Sequence, residues 1–393
     1  MQLVWGLLCT GAYCIYCLAF SGPYLACALA WGFWVLGETL DVTWLFFGLE
    51  EFKLTTIRNL VIRVISVICT FLFVKDPSDI WIYCLIMALY YLLASLSLWP
   101  FVFNRVRFVK PRINDVLQHI KPNLMLFAPV IAISLYTQLD RILLGLFCDM
   151  DQVGFFDQSD KVAQMPLSFI TALGTVMLPH MSKMMGSGEH GSVSKLVRDS
   201  MLVSNVMAFA FCFGIIGISP VFVPVFFGGG FEPCIQILSL LALEIPIIAW
   251  SNVLGIQCLI PQGKDKQYFA SVGIAALINI VLTLTLIPSH RAIGSATATI
   301  LTELAVVFVQ GLYLYRQLQI RNFIQDAIPF CVFGIVMMAA VRIIGDFTGA
   351  TVLGLMIEII SGMLIYLALC FGYLAWSKNS LFASLVKGLR GKR

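Results

Sequence analysis

Apolar runs of about eighteen or more residues recur from one end of this chain to the other, each long enough to cross a hydrocarbon core of about 30 Å as a helix. Backbone groups in hydrocarbon must be satisfied internally, so such a chain has two options: helices or a closed barrel. A barrel needs short segments of alternating polarity, and none are present. The reading is an all-α polytopic membrane protein. At 12% charged residues and a mean hydropathy of +0.93, the chain lies far from the roughly 25% charged composition of soluble domains. Twelve spans are predicted, at about 2–20, 23–48, 58–74, 80–103, 124–147, 155–181, 199–228, 234–260, 268–287, 292–315, 325–345 and 350–376.

Alternate loops carry the basic residues. One side holds 19 of the 25 lysines and arginines, against Lys75, Arg291 and Arg342 on the other. The positive-inside rule then places both termini in the cytoplasm of a multi-pass inner-membrane protein. The basic stretch 104–123 reads as a cytoplasmic linker with an amphipathic part. It divides an N-terminal lobe, 1–103, from a C-terminal lobe, 124–320, followed by an extra helix pair and basic tail, 321–393. No signal peptide is evident. The 12 cysteines lie almost all within spans, and Cys148 and Cys234 are near enough to the outer surface to pair.

Three basic residues fall inside spans: Arg63, Arg141 and Lys161. In the sixth span, Asp157, Lys161, Gln164, Ser168, Thr171 and Thr175 share one face of a 3.6-residue helix, with Asp160 adjoining and Pro166 and Pro179 expected to kink it. That stripe is about 27 Å long. Each charge in hydrocarbon costs roughly 2.5–3.5 kcal/mol, so the stripe faces either a wet cavity or partner helices. In the fifth span Ser134, Gln138 and Arg141 share a face beside Asp140. The second span carries Glu38 and Asp41, with Arg63 on the third span as the expected partner of Asp41. Glu244 and Glu303 fall near mid-span, and Asn279 and Thr283 share a face of the ninth. A matched spacing, Glu38 then Trp44 and Glu244 then Trp250, suggests a repeat in which spans 1–4 correspond to spans 7–10. No phosphate-binding loop, zinc-protease motif or dinucleotide turn is present, so no cofactor, metal, nucleic acid or enzymatic activity is expected.

The stretches DVTWLFFGLEEF (41–52), TQLDRILLG (137–145), GFFDQSDKV (154–162), LGTVMLPHMS (173–182) and LIPSHRAIGSATATILTEL (286–304) resemble the polysaccharide flippases of bacterial O-antigen, lipopolysaccharide and capsule pathways. These are Wzx-like members of the multidrug/oligosaccharidyl-lipid/polysaccharide exporter superfamily. The resemblance implies two pseudo-symmetric six-helix lobes around a central cavity. It begins at the family's third helix, which leaves the first lobe two helices short. It also implies the activity: translocation of undecaprenyl-diphosphate-linked repeat units by alternating access. Arg63, Arg141, Lys161, Gln138 and Gln164 are then the candidate substrate-binding residues. Glu38, Asp41, Asp140, Asp157, Asp160, Glu244 and Glu303 are the candidates for ion coupling. The expected partners are the lipid-linked oligosaccharide, membrane lipids and the pathway's polymerase and chain-length regulator. The alternatives are a multidrug exporter on the same scaffold, a membrane polymerase or ligase, and an inactive flippase fragment.

Overall fold

In the computed structural model the described residues are 2–49, 51–103, 105–106, 120, 123, 127, 138–186 and 190–377. They form a multi-pass, all-helical protein. Nine helices among them are long and apolar enough to cross a membrane. One, Asp265–Leu314, covers two predicted spans. Of the two predicted spans left over, 155–181 lies inside a longer, more polar helix, and 124–147 falls largely outside the described residues, as do Ser134 and most of the linker 104–123. The chain divides into two compact units, Met1–Asn123 and Leu124–Arg393.

The first unit holds α1 (Gln2–Phe20), α2 (Leu25–Thr39), α3 (Thr43–Gly48), α4 (Phe52–Phe73), α5 (Ile80–Leu96) and α6 (Trp99–Phe103). Helix α2 packs most extensively on α5, with α1 against α2 and α4 against α5. Two glycines set these approaches. A Cβ on Gly37 would meet the Leu92 backbone nitrogen at 2.9 Å, and one on Gly6 would meet the Thr39 side chain at 2.4 Å. Small residues let membrane helices gain dispersion contact where water supplies no driving force. Much of α1 and α4 is exposed Leu, Val, Ile and Phe, the surface a hydrocarbon solvent requires.

The second predicted span is not continuous, because the helix breaks at Leu40–Val42. Asp41 causes the local turn: its Oδ1 accepts from the Thr43 amide at 2.9 Å and from the Thr43 hydroxyl at 2.5 Å. Such a side-chain bond competes with the helical ladder. The carbonyls freed by the break find donors. Gln2 Nε2 donates to Asp41 O at 2.6 Å and to Thr39 O at 3.3 Å, and Trp99 Nε1 donates to Leu40 O at 3.0 Å.

The second unit begins, as described, with helical residues 138–147. It continues through α7 (Met150–Gly186), α8 (His190–Phe226), α9 (Pro233–Leu241), α10 (Glu244–Ser251), a π-helical turn (Asn252–Leu259), α11 (Asp265–Leu314), α12 (Ile320–Thr348) and α13 (Val352–Trp376). Helix α7 runs through both Pro166 and Pro179 as one helix, and α11 bends at Arg291 (φ 52°). Gly294 permits the bend, since a Cβ there would meet the Leu286 carbonyl oxygen at 2.5 Å. The core joins Phe156, Ala163, Leu167 and Ile170 of α7 to Ala208 and Ile215 of α8, Ile237 and Leu241 of α9, Ile245 of α10 and Ala296 of α11. Helices α12 and α13 pack on α8 through Phe330, Met337, Val341 and Tyr366. An Arg198–Asp326 ion pair at 3.0 Å ties α8 to the start of α12. All twelve cysteines are free, so Cys148 and Cys234 do not pair; Cys234 is buried with its Sγ 3.6 Å from Phe155 O.

Candidate functional site

Within the second unit, the buried face of α7 runs through Phe156, Ala163, Leu167 and Ile170. The polar stripe follows each of these by one residue, about 100° around the helix. Lys161, Gln164 and Ser168 are therefore exposed, and Asp157 and Thr171 half-buried. The Thr175 side chain lies outside the described set. The hydroxyls lower on the stripe are satisfied locally: Ser168 donates to Met165 O at 2.6 Å and Thr171 to Leu167 O at 3.0 Å. Cysteines placed at 164 and 168 are expected to react with a polar thiol reagent, and cysteines at 163 and 167 to resist it. Equal labelling at all four would show that the stripe does not meet water.

The start of α7 carries the charges. Arg141 bridges two carboxylates, Nε to Asp157 Oδ1 at 2.8 Å and Nη2 to Asp160 Oδ2 at 2.5 Å. Lys161 closes on the other oxygen of Asp157 at 2.6 Å. Two different guanidinium nitrogens hold two acids, a geometry one ammonium cannot reproduce. Below this quartet lies a cavity of about 290 Å³. Gln138, Asp140 and Arg141 line it from 138–147, Asp160 and Gln164 from α7, Glu244 from α10, and Asn279, Thr299 and Glu303 from α11.

Asp140 is only 5% exposed. It accepts from the Thr283 hydroxyl at 3.0 Å and from the Thr299 hydroxyl at 3.0 Å, one donor from each arm of α11. The bend at Arg291 brings those arms together. Glu244 is 1% exposed, and among the described residues its Oε1 finds no hydrogen-bond partner; neither do the two ends of the Asn279 amide. Buried polar groups are normally paired, so this cavity wall is chemically equipped to hold a polar guest.

Seven of the predicted site residues thus line one cavity: Gln138, Asp140, Arg141, Asp160, Gln164, Glu244 and Glu303. Asp157 and Lys161 join it through Arg141. The residues from the first unit are placed differently. Arg63 does not meet Asp41; it lies over the Tyr90 ring at 5.1 Å, with Nη1 3.9 Å from Met87 Sδ. Arg58 takes the neighbourhood of Asp41 instead, donating to Thr43 Oγ1 at 3.4 Å and to the Ala94 carbonyl. Glu38 is exposed, whereas Glu244, its counterpart in the matched spacing, is buried. Trp44 bonds Gln2 and Trp250 bonds Asn205, so the two stretches occupy unlike settings. Thr299 escaped the sequence reading, since one threonine in the small-residue run SATATI gives no sign of a partner 159 positions away.

Residues 1–185 match the family of polysaccharide biosynthesis proteins. A candidate O-antigen transporter of Shigella dysenteriae is 25% identical over 281 residues, 70% of this chain and 69% of that one. A candidate O-antigen transporter of Escherichia coli is 23% identical over 282 residues, covering 71% and 68%. In fold, the chain is similar to the lipid II flippase MurJ in its inward closed conformation. The TM-score is 0.71 at 17% identity, over 91% of this chain and 74% of that one. Family pattern, transporter relatives and helical fold agree with one another: over residues 1–185 the chain is similar to polysaccharide biosynthesis proteins, and over about 70% of its length to O-antigen transporters.

Proposed function

We propose that this chain is a flippase that carries a lipid-linked oligosaccharide, an undecaprenyl-diphosphate-linked repeat unit, across the bacterial inner membrane. The observation that carries this reading is the Arg141 quartet above a polar cavity in an otherwise apolar helical unit. A bare diphosphate in hydrocarbon would cost tens of kcal/mol to desolvate. Fixed cations in a hydrated path lower that cost while the lipid tail stays in the bilayer.

Arg141 and Lys161 are already matched by Asp157 and Asp160, and Asp140, Glu244 and Glu303 add further acids at the cavity. An anionic substrate must therefore compete with carboxylates for Arg141. Protonation of Asp157 and Asp160, or binding of a cation beside them, would release the guanidinium to the diphosphate. Coupling a proton or sodium ion to substrate binding follows from that exchange. Rocking between inward and outward states, with both termini cytoplasmic, completes an alternating-access cycle, and the pathway's polymerase and chain-length regulator would take up the delivered unit.

The excess of carboxylates favours one rival, export of cationic drugs on the same scaffold. Expression in a flippase-deficient strain separates the two. The flippase reading predicts restored surface polysaccharide with no change in resistance to cationic drugs. Restored resistance without polysaccharide, from protein present in the membrane, would overturn it.

A further inference from the structure

A second cavity of about 320 Å³ lies apart from the Arg141 site, between α8, α12 and α13, and opens outward along the exposed Met363 and Leu367 of α13. Its walls are apolar: Phe211, Ile215, Met337, Met363 and Tyr366 are among them, and Tyr366 spends its hydroxyl on Val206 O at 2.9 Å. The single charged residue of the lining is Glu358, two turns into α13. It is 1% exposed, and its Oε2 has no hydrogen-bond partner among the described residues. The close approach is built in, because a Cβ on Gly345 would lie 2.2 Å from Glu358 Oε1. On α8, Gly214 leaves the space open; a Cβ there would meet only Met337 Cε, at 3.7 Å.

A buried carboxyl costs stability unless something meets it. The neighbouring ionisable groups do not. Asp346 on α12 carries the same charge, Arg342 on α12 is exposed and donates to Ile216 O at 3.3 Å, and α8 offers no charged residue between Val206 and Phe226. A guest that fits supplies one polar hydrogen and one positive charge on an apolar body. A lipophilic ammonium meets that need: its N–H would reach Glu358 Oε2 while its hydrocarbon, packed beside Tyr366 and Phe211, fills the cavity.

We infer that the α8–α12–α13 cavity is a binding site for lipophilic monocationic amines, with Glu358 as the counter-ion. The inference stands independently of the flippase reading. The test uses the full chain in detergent micelles at neutral pH and two probes of one shape, protonated N,N-dimethylbenzylamine and its uncharged carbon analogue isobutylbenzene. Wild type is expected to hold the amine at least about tenfold more tightly than the hydrocarbon, as one charge-assisted hydrogen bond would provide. Glu358→Gln should remove that preference and leave hydrocarbon binding unchanged. Gly214→Leu, which fills the cavity from α8, should weaken both. Equal affinity of wild type for the two probes would mark a simple hydrocarbon groove and overturn the assignment. So would an amine preference that survives in a folded Glu358→Gln protein, or amine binding that Gly214→Leu leaves intact.

Discussion

Arg141→Ala is expected to abolish surface polysaccharide in a complemented flippase-deficient strain, while the protein remains at normal level in the membrane. Arg141 is the cation that both lines the cavity and reaches two acids. Truncating a charge of this kind costs about 2–5 kcal/mol of binding, a loss of tens- to thousands-fold. Arg141→Lys should recover little, because a lysine cannot span Asp157 and Asp160 while keeping a face for a diphosphate. A further variant separates substrate binding from charge balance. Combining Arg141→Ala with Asp157→Asn and Asp160→Asn removes the two acids that Arg141 bridges along with the guanidinium. If Arg141 contacts the substrate, the triple variant stays inactive. Restored export in the triple variant would reduce Arg141 to a neutraliser of two carboxylates and remove it from the binding site.

Asp140→Asn is expected to uncouple transport from the ion gradient. The amide keeps the size of the carboxylate and an acceptor for one threonine hydroxyl, so the two arms of α11 stay anchored near 138–147. What is lost is the buried negative charge. A charge moving with its ion through about 100 mV contributes about 2.3 kcal/mol, so a carrier without it should run about as fast with the gradient as without. The measurement is uptake of a labelled lipid-linked sugar into proteoliposomes, with and without an imposed proton or sodium gradient. Wild type should respond, and Asp140→Asn should not. Thr283→Val and Thr299→Val should weaken the response individually, since each removes a donor worth about 1.5–3 kcal/mol to a charged acceptor. An unaltered gradient response in Asp140→Asn would take Asp140 out of the coupling role.

Hydropathy alone determined that the chain is a helical, multi-pass membrane protein, because an apolar run in hydrocarbon has almost no other way to satisfy its backbone. It also singled out seven of the residues that line the main cavity. Charges and amides inside spans are costly, so Gln138, Asp140, Arg141, Asp160, Gln164, Glu244 and Glu303 stood out one by one, and helical period put Asp157, Lys161 and Gln164 on one face. Which of them meet was decided by tertiary structure. Asp140 and Thr299 lie 159 positions apart and come together because α11 folds back at Arg291. Arg63 and Arg58 look alike in sequence, yet a break of three residues after α2 sends Asp41 into a turn with Thr43, which Arg58 reaches, and leaves Arg63 over Tyr90. Glu358 reads as one acid in an apolar span; its burial beside an open cavity depends on glycines of two other helices, Gly214 and Gly345, and a linear pattern holds no record of such three-helix packing.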